Sequence, residues 1–125
     1  MLIRYKKNYE KIAMGLLSYI PKEKEIKTLL QTIRKYEDEE GWQLFLWKDG
    51  EDIVGVAGVH MEDQENAVIE HISVNPSYRT EGIGKKMIVA LKEILGNDVV
   101  IEPSSAIKAY FDKCFQEPNI KETGK

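Results

Sequence analysis

Large apolar residues return along this chain at two spacings, and the switches between them lay out the elements. Leu2 to Tyr5 is a short apolar opening. Tyr9, Ile12, Ala13, Leu16, Leu17 and Ile20 then fall on one stripe of helical period, which predicts a helix. Pro21 resets the chain at a position suited to helix entry, and Ile26, Leu29, Leu30, Ile33 and Tyr36 form a second stripe on a highly charged segment. The acidic run Glu37 to Glu40 and then Gly41 predict its end, because the carbonyl end of a helix disfavours negative charge. From Trp42 to Trp47 the chain is apolar at nearly every position, as in a strand covered on both faces, and Asp49-Gly50 reads as a hairpin turn. Ile53 to Met61 is the next strand, in which Gly55 and Gly58 mark a bulge or the close approach of another group. Val68 to Val74 is β-branched and bounded by Asn75-Pro76. Helical period returns at Ile83, Met87, Ile88, Leu91, Ile94 and Leu95 and stops at Gly96-Asn97. Val99 to Ile101 is a short buried strand, and Ala106, Tyr110 and Cys114, four apart, belong to a last helix after Pro103-Ser104-Ser105. The order of strand, two helices, three meandering strands, helix, strand and helix predicts an α+β sheet domain without repeats.

Composition narrows the classes of function. A length of 125 residues allows one domain, spanning 1–125, and 42% hydrophobic against 31% charged residues is a globular balance. A net charge of -3 supplies no global field for nucleic acid, so any anion must be bound locally. No apolar run approaches the roughly 20 residues that a membrane span needs. The single Cys114 cannot form an internal disulfide and no charged-then-apolar leader opens Met1 to Lys7, so the expected compartment is the cytoplasm. Cys114, His60 and His71 show no metal-ligand spacing, and no metal is expected. Cys114 reads as a small buried thiol, and Trp42, Phe45 and Trp47 as core of one strand rather than a flavin-stacking box. The run Glu37 to Glu40 reads as a solvated loop that could attract a cationic amine.

The chemistry concentrates in Arg79-Thr80-Glu81-Gly82-Ile83-Gly84, between a strand and an amphipathic helix. Unpaired amides at a helix start, at the positive end of its dipole, bind phosphate. Glycine at 82 and 84 removes Cβ atoms that would keep a diphosphate from the backbone, and Arg79, Lys85 and Lys86 add positive charge. Two common phosphate loops fail the residue test: a dinucleotide fingerprint needs glycine at Met87, and a nucleotide-triphosphate loop needs Ser or Thr at Lys86. A Gly-x-Gly at a helix start also serves plain packing.

In this context the sequence resembles the GCN5-related N-acetyltransferase (GNAT) family. That family's acyl-CoA loop reads Gln/Arg-x-x-Gly-x-Gly/Ala after a strand ending in Val-x-Pro, and Val74-Asn75-Pro76 with Arg79 to Gly84 matches it. A second family signature is similar to Ala106, Tyr110, Cys114 and Phe115, with Cys114 where glycine is usual and Pro103 or Ser104 where asparagine often sits. Within the family the chain is most similar to a small acetyltransferase encoded in bacterial riboflavin-biosynthesis operons, which implies a link to riboflavin metabolism and leaves the acceptor unnamed.

The resemblance implies a mixed, mostly antiparallel sheet flanked by helices, with strands 4 and 5 splayed and acyl-CoA between them. Its pyrophosphate would lie on Arg79, Thr80, Glu81, Gly82, Ile83, Gly84 and Lys85, and the backbone of Ile72, Ser73 and Val74 would pair with the pantetheine amides. Glu70 is the candidate base, expected on the face of Ile72 and Val74 with His71 on the opposite one; beside His71 it also reads as an ion-paired edge residue. Tyr110 matches the family's acid, although an aromatic there also suits a helix core. The implied reaction is acetyl transfer from acetyl-CoA to a small-molecule or protein amine in a direct ternary complex, without metal. Family members usually continue with two more strands, whereas Gln116 to Lys125 leaves room for one short strand at most, with Pro118 in it. Truncated C-terminal strands would leave the acceptor pocket open or covered by another subunit. The alternatives this raises are a non-catalytic CoA-binding or protein-interaction module, and a homodimer formed on an exposed fifth-strand edge.

Overall fold

The computed structural model describes residues 1–123, excepting the side chains of Lys22 and of residues 116–123. Strand β1 (Leu2–Arg4) leads through a short 3-10 turn to α1 (Glu10–Leu17). A second 3-10 turn, Pro21–Glu23, precedes α2 (Ile26–Asp38). Strands β2 (Trp42–Asp49), β3 (Asp52–Met61) and β4 (Asn66–Val74) follow, then α3 (Ile83–Leu95), β5 (Val100–Pro103) and α4 (Lys108–Thr123). The sheet runs in sequence order, β1-β2-β3-β4-β5, antiparallel except for the parallel pair β4·β5. This is the α+β arrangement expected from the element order.

Helices cover both faces, so the sheet buries two cores. Phe45, Val59, Ile69, Ile72 and Val74 pack against Met87 and Leu91 of α3 and against Ile107. On the other face Leu44, Leu46 and Val56 pack against Ala13 and Leu17 of α1 and Leu29, Ile33 and Tyr36 of α2. The two glycines inside β3 admit one side chain from each layer. A Cβ at Gly55 would stand 2.9 Å from the Met87 sulfur, and one at Gly58 would run into the Tyr36 ring and hydroxyl. Gly58→Ala is therefore expected to destabilise the fold by about 2 kcal/mol through overpacking. A lower urea midpoint with unchanged slope would show it.

Three sequence expectations change here. Helix α2 runs on through Asp38, and Glu37 is no solvated loop residue: its carboxylate accepts from the Tyr5 hydroxyl at 2.8 Å and pairs with Lys7 and Arg34 at 3.4 and 3.1 Å. These bonds offset the unfavourable dipole end and tie α2 to the N-terminal segment. Strand β5 extends to Pro103, which an edge strand tolerates because its missing N–H need not reach a neighbour. The stretch after Phe115, given at most a short strand, continues α4 to Thr123, with residues 124 and 125 outside the described chain. Among the described residues no helix is long and apolar enough to cross a membrane.

Two features of β4 position the site. Its register with β3 slips between Gly58↔His71 and Val59↔Ile69, which makes Glu70 the extra residue of a β-bulge. Its pairing with β5 ends at Ile69↔Pro103, sealed by the Ser104 amide donating to the Ile69 carbonyl at 3.0 Å. Beyond that point the chain after β5 turns away into α4, and residues 71–74 keep only β3 as a ladder partner. The proline that ends β5 has no N–H with which to continue the ladder.

Candidate active site

Val74 closes β4, Asn75 accepts the Ser77 amide at 2.9 Å to cap a 3-10 turn, and the chain then winds into α3. Thr80 (φ +74) and Gly82 (φ +77) are both left-handed, so the loop doubles back before the helix begins. The first helical N–H bond runs from Lys86 to the Gly82 carbonyl at 3.1 Å, and no side chain caps the start. The amides of Ile83, Gly84 and Lys85 are thus left without an intrahelical partner. A Cβ at Gly82 would meet nothing within 4 Å, so the backbone there is open to a ligand.

Side chains in this loop divide their duties. Ile83 is buried in the core beneath α3 while its amide serves the helix end. Glu81, Thr80 and Lys86 are exposed, and the Lys85 ammonium lies 5.6 Å from the Phe115 ring centroid. Arg79 donates through Nε to the Val74 carbonyl at 3.0 Å and stands over the Tyr19 ring. Of the β4 backbone groups expected to be free for a ligand, the Val74 carbonyl is therefore engaged from within, and the loop is tethered to the strand end. Ile72 and Ser73 are buried, and the Ser73 hydroxyl has no hydrogen-bond partner among the described residues.

Gly84 has a different reason from the one expected. A methyl there would collide with the Tyr110 hydroxyl and stand 3.2 Å from the Cys114 sulfur, so the glycine admits α4 rather than a diphosphate. Tyr110 is about one-third exposed and rests its hydroxyl on the first turn of α3 beside Cys114. Burial and the neighbouring thiol push the Tyr110 phenol up to about 12. Burial also raises the Cys114 thiol, which keeps it protonated at neutral pH.

Glu70 opens elsewhere. It lines a cleft of about 380 Å³ with Glu23, Thr32, Lys35, Trp42, His71 and Ser104 among its walls, and Tyr110 is not part of that lining. The bulge explains why Glu70 and His71 share the cleft although strict alternation would send them to opposite faces. The structure thus brings Tyr110 together with the loop at 79–85 and sets Glu70 in the neighbouring cleft.

The cleft holds groups that the sequence did not single out. The Tyr36 hydroxyl lies 2.6 Å from His71 Nδ1, His71 Nε2 lies 3.1 Å from Glu23 Oε2, and the Thr32 hydroxyl donates to Glu23 Oε1 at 2.7 Å. Burial, then the charges of Glu70 and Glu23, hold the Tyr36 phenol well above its usual range. Trp42 stacks on His60 at 4.6 Å and carries the Lys35 ammonium 4.7 Å from its ring centroid. It shares a strand face with Leu44 and Leu46, away from Phe45 and Trp47, so it is a cleft wall rather than one of a run of core aromatics. Gly58 was the one sequence signal for this network, since it announced a close neighbour without naming Tyr36. Among the described residues no group of three His, Cys, Asp or Glu could hold a metal ion.

Relatives match the whole arrangement. The family model described as the acetyltransferase (GNAT) family fits residues 9–114. An uncharacterized N-acetyltransferase of the lysA 3′ region in Bacillus methanolicus is 54% identical over 114 residues, covering 91% of this chain and 94% of its own. The fold recurs in the aminoglycoside N-acetyltransferase AAC(6')-Iy in complex with CoA, with a TM-score of 0.74 at 14% identity over 94% of this chain and 84% of that one. It recurs again in a GNAT family acetyltransferase from Elizabethkingia anophelis with acetyl-CoA bound, with a TM-score of 0.65 at 21% identity over 92% and 73%. With the family model lying across the parted strands, the loop and the cleft alike, the chain belongs to the GNAT family of acetyltransferases.

Proposed function

We propose that this acetyltransferase moves the acetyl group of acetyl-CoA to a primary amine by direct attack in a ternary complex. The observation that carries the reading is continuity: the open amides of residues 83–85 lie at the end of the strand whose segment 70–74 has lost its β5 partner, joined to it by the Arg79–Val74 bond. The amides and the open backbone at Gly82 fit a diphosphate, and the strand edge suits an amide-bearing arm that adds as a further strand. Acetyl-CoA supplies an acetyl group activated as a thioester. Around it Glu70 takes a proton from the amine as the C–N bond forms, and Tyr110 gives one to the sulfur as the C–S bond breaks. A backbone amide of the β4 segment Ile72 to Val74 polarises the carbonyl. The protonated Cys114 thiol argues for no covalent intermediate on this chain. The link to riboflavin metabolism rests on sequence resemblance alone and names no acceptor.

Calorimetry with CoA followed by thiol release from acetyl-CoA across a panel of amines tests the reading. The expected result is CoA binding with amine-dependent release. Binding without release would make the chain a CoA-binding module, and no binding at saturating CoA would end the proposal.

A further inference from the structure

Beside its buried stripe, α2 carries a second, polar one. Leu29, Ile33 and Tyr36 face the core, while Thr28, Gln31, Thr32 and Lys35, also at helical spacing, line the cleft that Glu70 shares. Lys35 is the one lysine or arginine in that lining among the described residues. The acidic groups around it are placed elsewhere: Glu23 accepts from the Thr32 hydroxyl at 2.7 Å and lies 3.1 Å from His71 Nε2, and Glu70 stands on the β4 bulge. Lys35 forms no ion pair among the described residues, although Asp38 follows at the spacing that brings side chains together on a helix.

What holds Lys35 is an aromatic ring. Its ammonium lies 4.7 Å from the Trp42 centroid, and Trp42 is itself fixed by the stacked His60 ring at 4.6 Å and the edge-on Tyr36 ring at 5.4 Å. A ring orients an ammonium without cancelling its charge, because the attraction comes from a quadrupole and the ring has no net charge. An ammonium also has three N–H donors, which a ring face does not fill. The cleft thus presents a positioned cation on one wall and the Glu70 carboxylate on another.

We propose that Lys35 receives a carboxylate of the acceptor, so that the molecule acetylated is a small amino acid, with its amine at Glu70 and its acid group at Lys35. This rests on the acetyl-transfer reading above and adds the substrate class. One positive charge matches a singly charged carboxylate, whereas a phosphate dianion would bring excess negative charge beside Glu23 and Glu70. The cleft volume of about 380 Å³ is that of a small-molecule site. A lysine present only to cover Trp42 with its stem would be replaced without loss by methionine; holding an anion needs the charge.

Straight-chain amino acids from glycine to 6-aminohexanoate, each beside its carboxamide, form the test panel, because acid and amide share a shape and differ in charge at the far end. Calorimetric titration with CoA present is expected to show at least one acid binding about tenfold or more tighter than its amide, the effect of one hydrogen bond to a charged group. Lys35→Met, which keeps the apolar stem, should bring that ratio to within about threefold of unity with CoA affinity unchanged. Lys35→Arg should retain most of the preference, and Lys27→Met, exposed on the same helix outside the cleft, should leave it intact. No acid binding more tightly than its amide, or a preference that survives Lys35→Met, would overturn the proposal. The preferred acid is also expected to drive thiol release from acetyl-CoA, and faster release with the amides would overturn the proposal too. A Lys35-dependent preference without release from any member would instead overturn the acetyl-transfer reading and leave the carboxylate site standing.

Discussion

Glu70→Gln is expected to lower kcat by roughly 100- to 10,000-fold, the range that a positioned general base contributes, with CoA affinity and thermal midpoint almost unmoved. The expectation follows from where the bulge puts this residue. Glu70 has no ladder counterpart on β3, is half-buried, and makes no side-chain hydrogen bond among the described residues. Glutamine fills the same space, so the fold loses nothing that it was using, and a change within about 0.5 kcal/mol is the expectation for stability. What glutamine cannot do is accept a proton from an ammonium that must become an amine. Thiol-release kinetics beside a melting curve separate the two effects. Turnover within threefold of the unaltered protein would remove Glu70 from the reaction and direct attention to His71, which faces the same cleft.

Tyr110→Phe should cost between about tenfold and ten-thousandfold in kcat through loss of the acid proposed to protonate the departing sulfur. Its pH behaviour gives a second readout. An acid works only while it holds its proton, and burial with the Cys114 contact raises the Tyr110 phenol to about 12. The active form is therefore complete at every pH below that value and is lost only as pH rises through it. Between pH 6 and 10 the two proteins should have rate profiles of the same shape, displaced by a constant factor. An alkaline fall near pH 10 that vanishes in the variant would show that the phenol titrates at its ordinary value, and equal rates throughout would exclude it as the acid. CoA affinity is expected to change little, because the hydroxyl touches Gly84 and Cys114 rather than the open amides of the loop.

Much of the fold was legible because burial on two faces imposes strong patterns. Ile83 to Leu95 was bounded correctly at both ends, since Gly82 and Gly96 are both left of the ordinary helical backbone and punctuate it. The loop at 79–85 was legible for the same reason: a local motif is carried by consecutive residues. The cleft was not, because its parts come from the Pro21–Glu23 turn, α2, β2, β4 and the segment after β5, and no spacing along the chain joins Glu23 to His71. Period-two alternation also misassigned the pair Glu70 and His71, since a bulge adds a residue that alternation does not count. Gly84 illustrates a subtler limit. Its need for a missing side chain was visible, but whether a ligand or Tyr110 fills the space depends on a helix more than twenty residues onward.

The unpaired residue in β4 also separates two demands that would compete at the position proposed to carry the base. Most strand residues serve the architecture first, and a change of side chain there is felt by a neighbour across the ladder. Position 70 answers to no such neighbour. A library covering all side chains at this site should consequently yield folded proteins in nearly every case while their rates scatter widely, so that new acceptor chemistry can be searched for here without first rebuilding the scaffold.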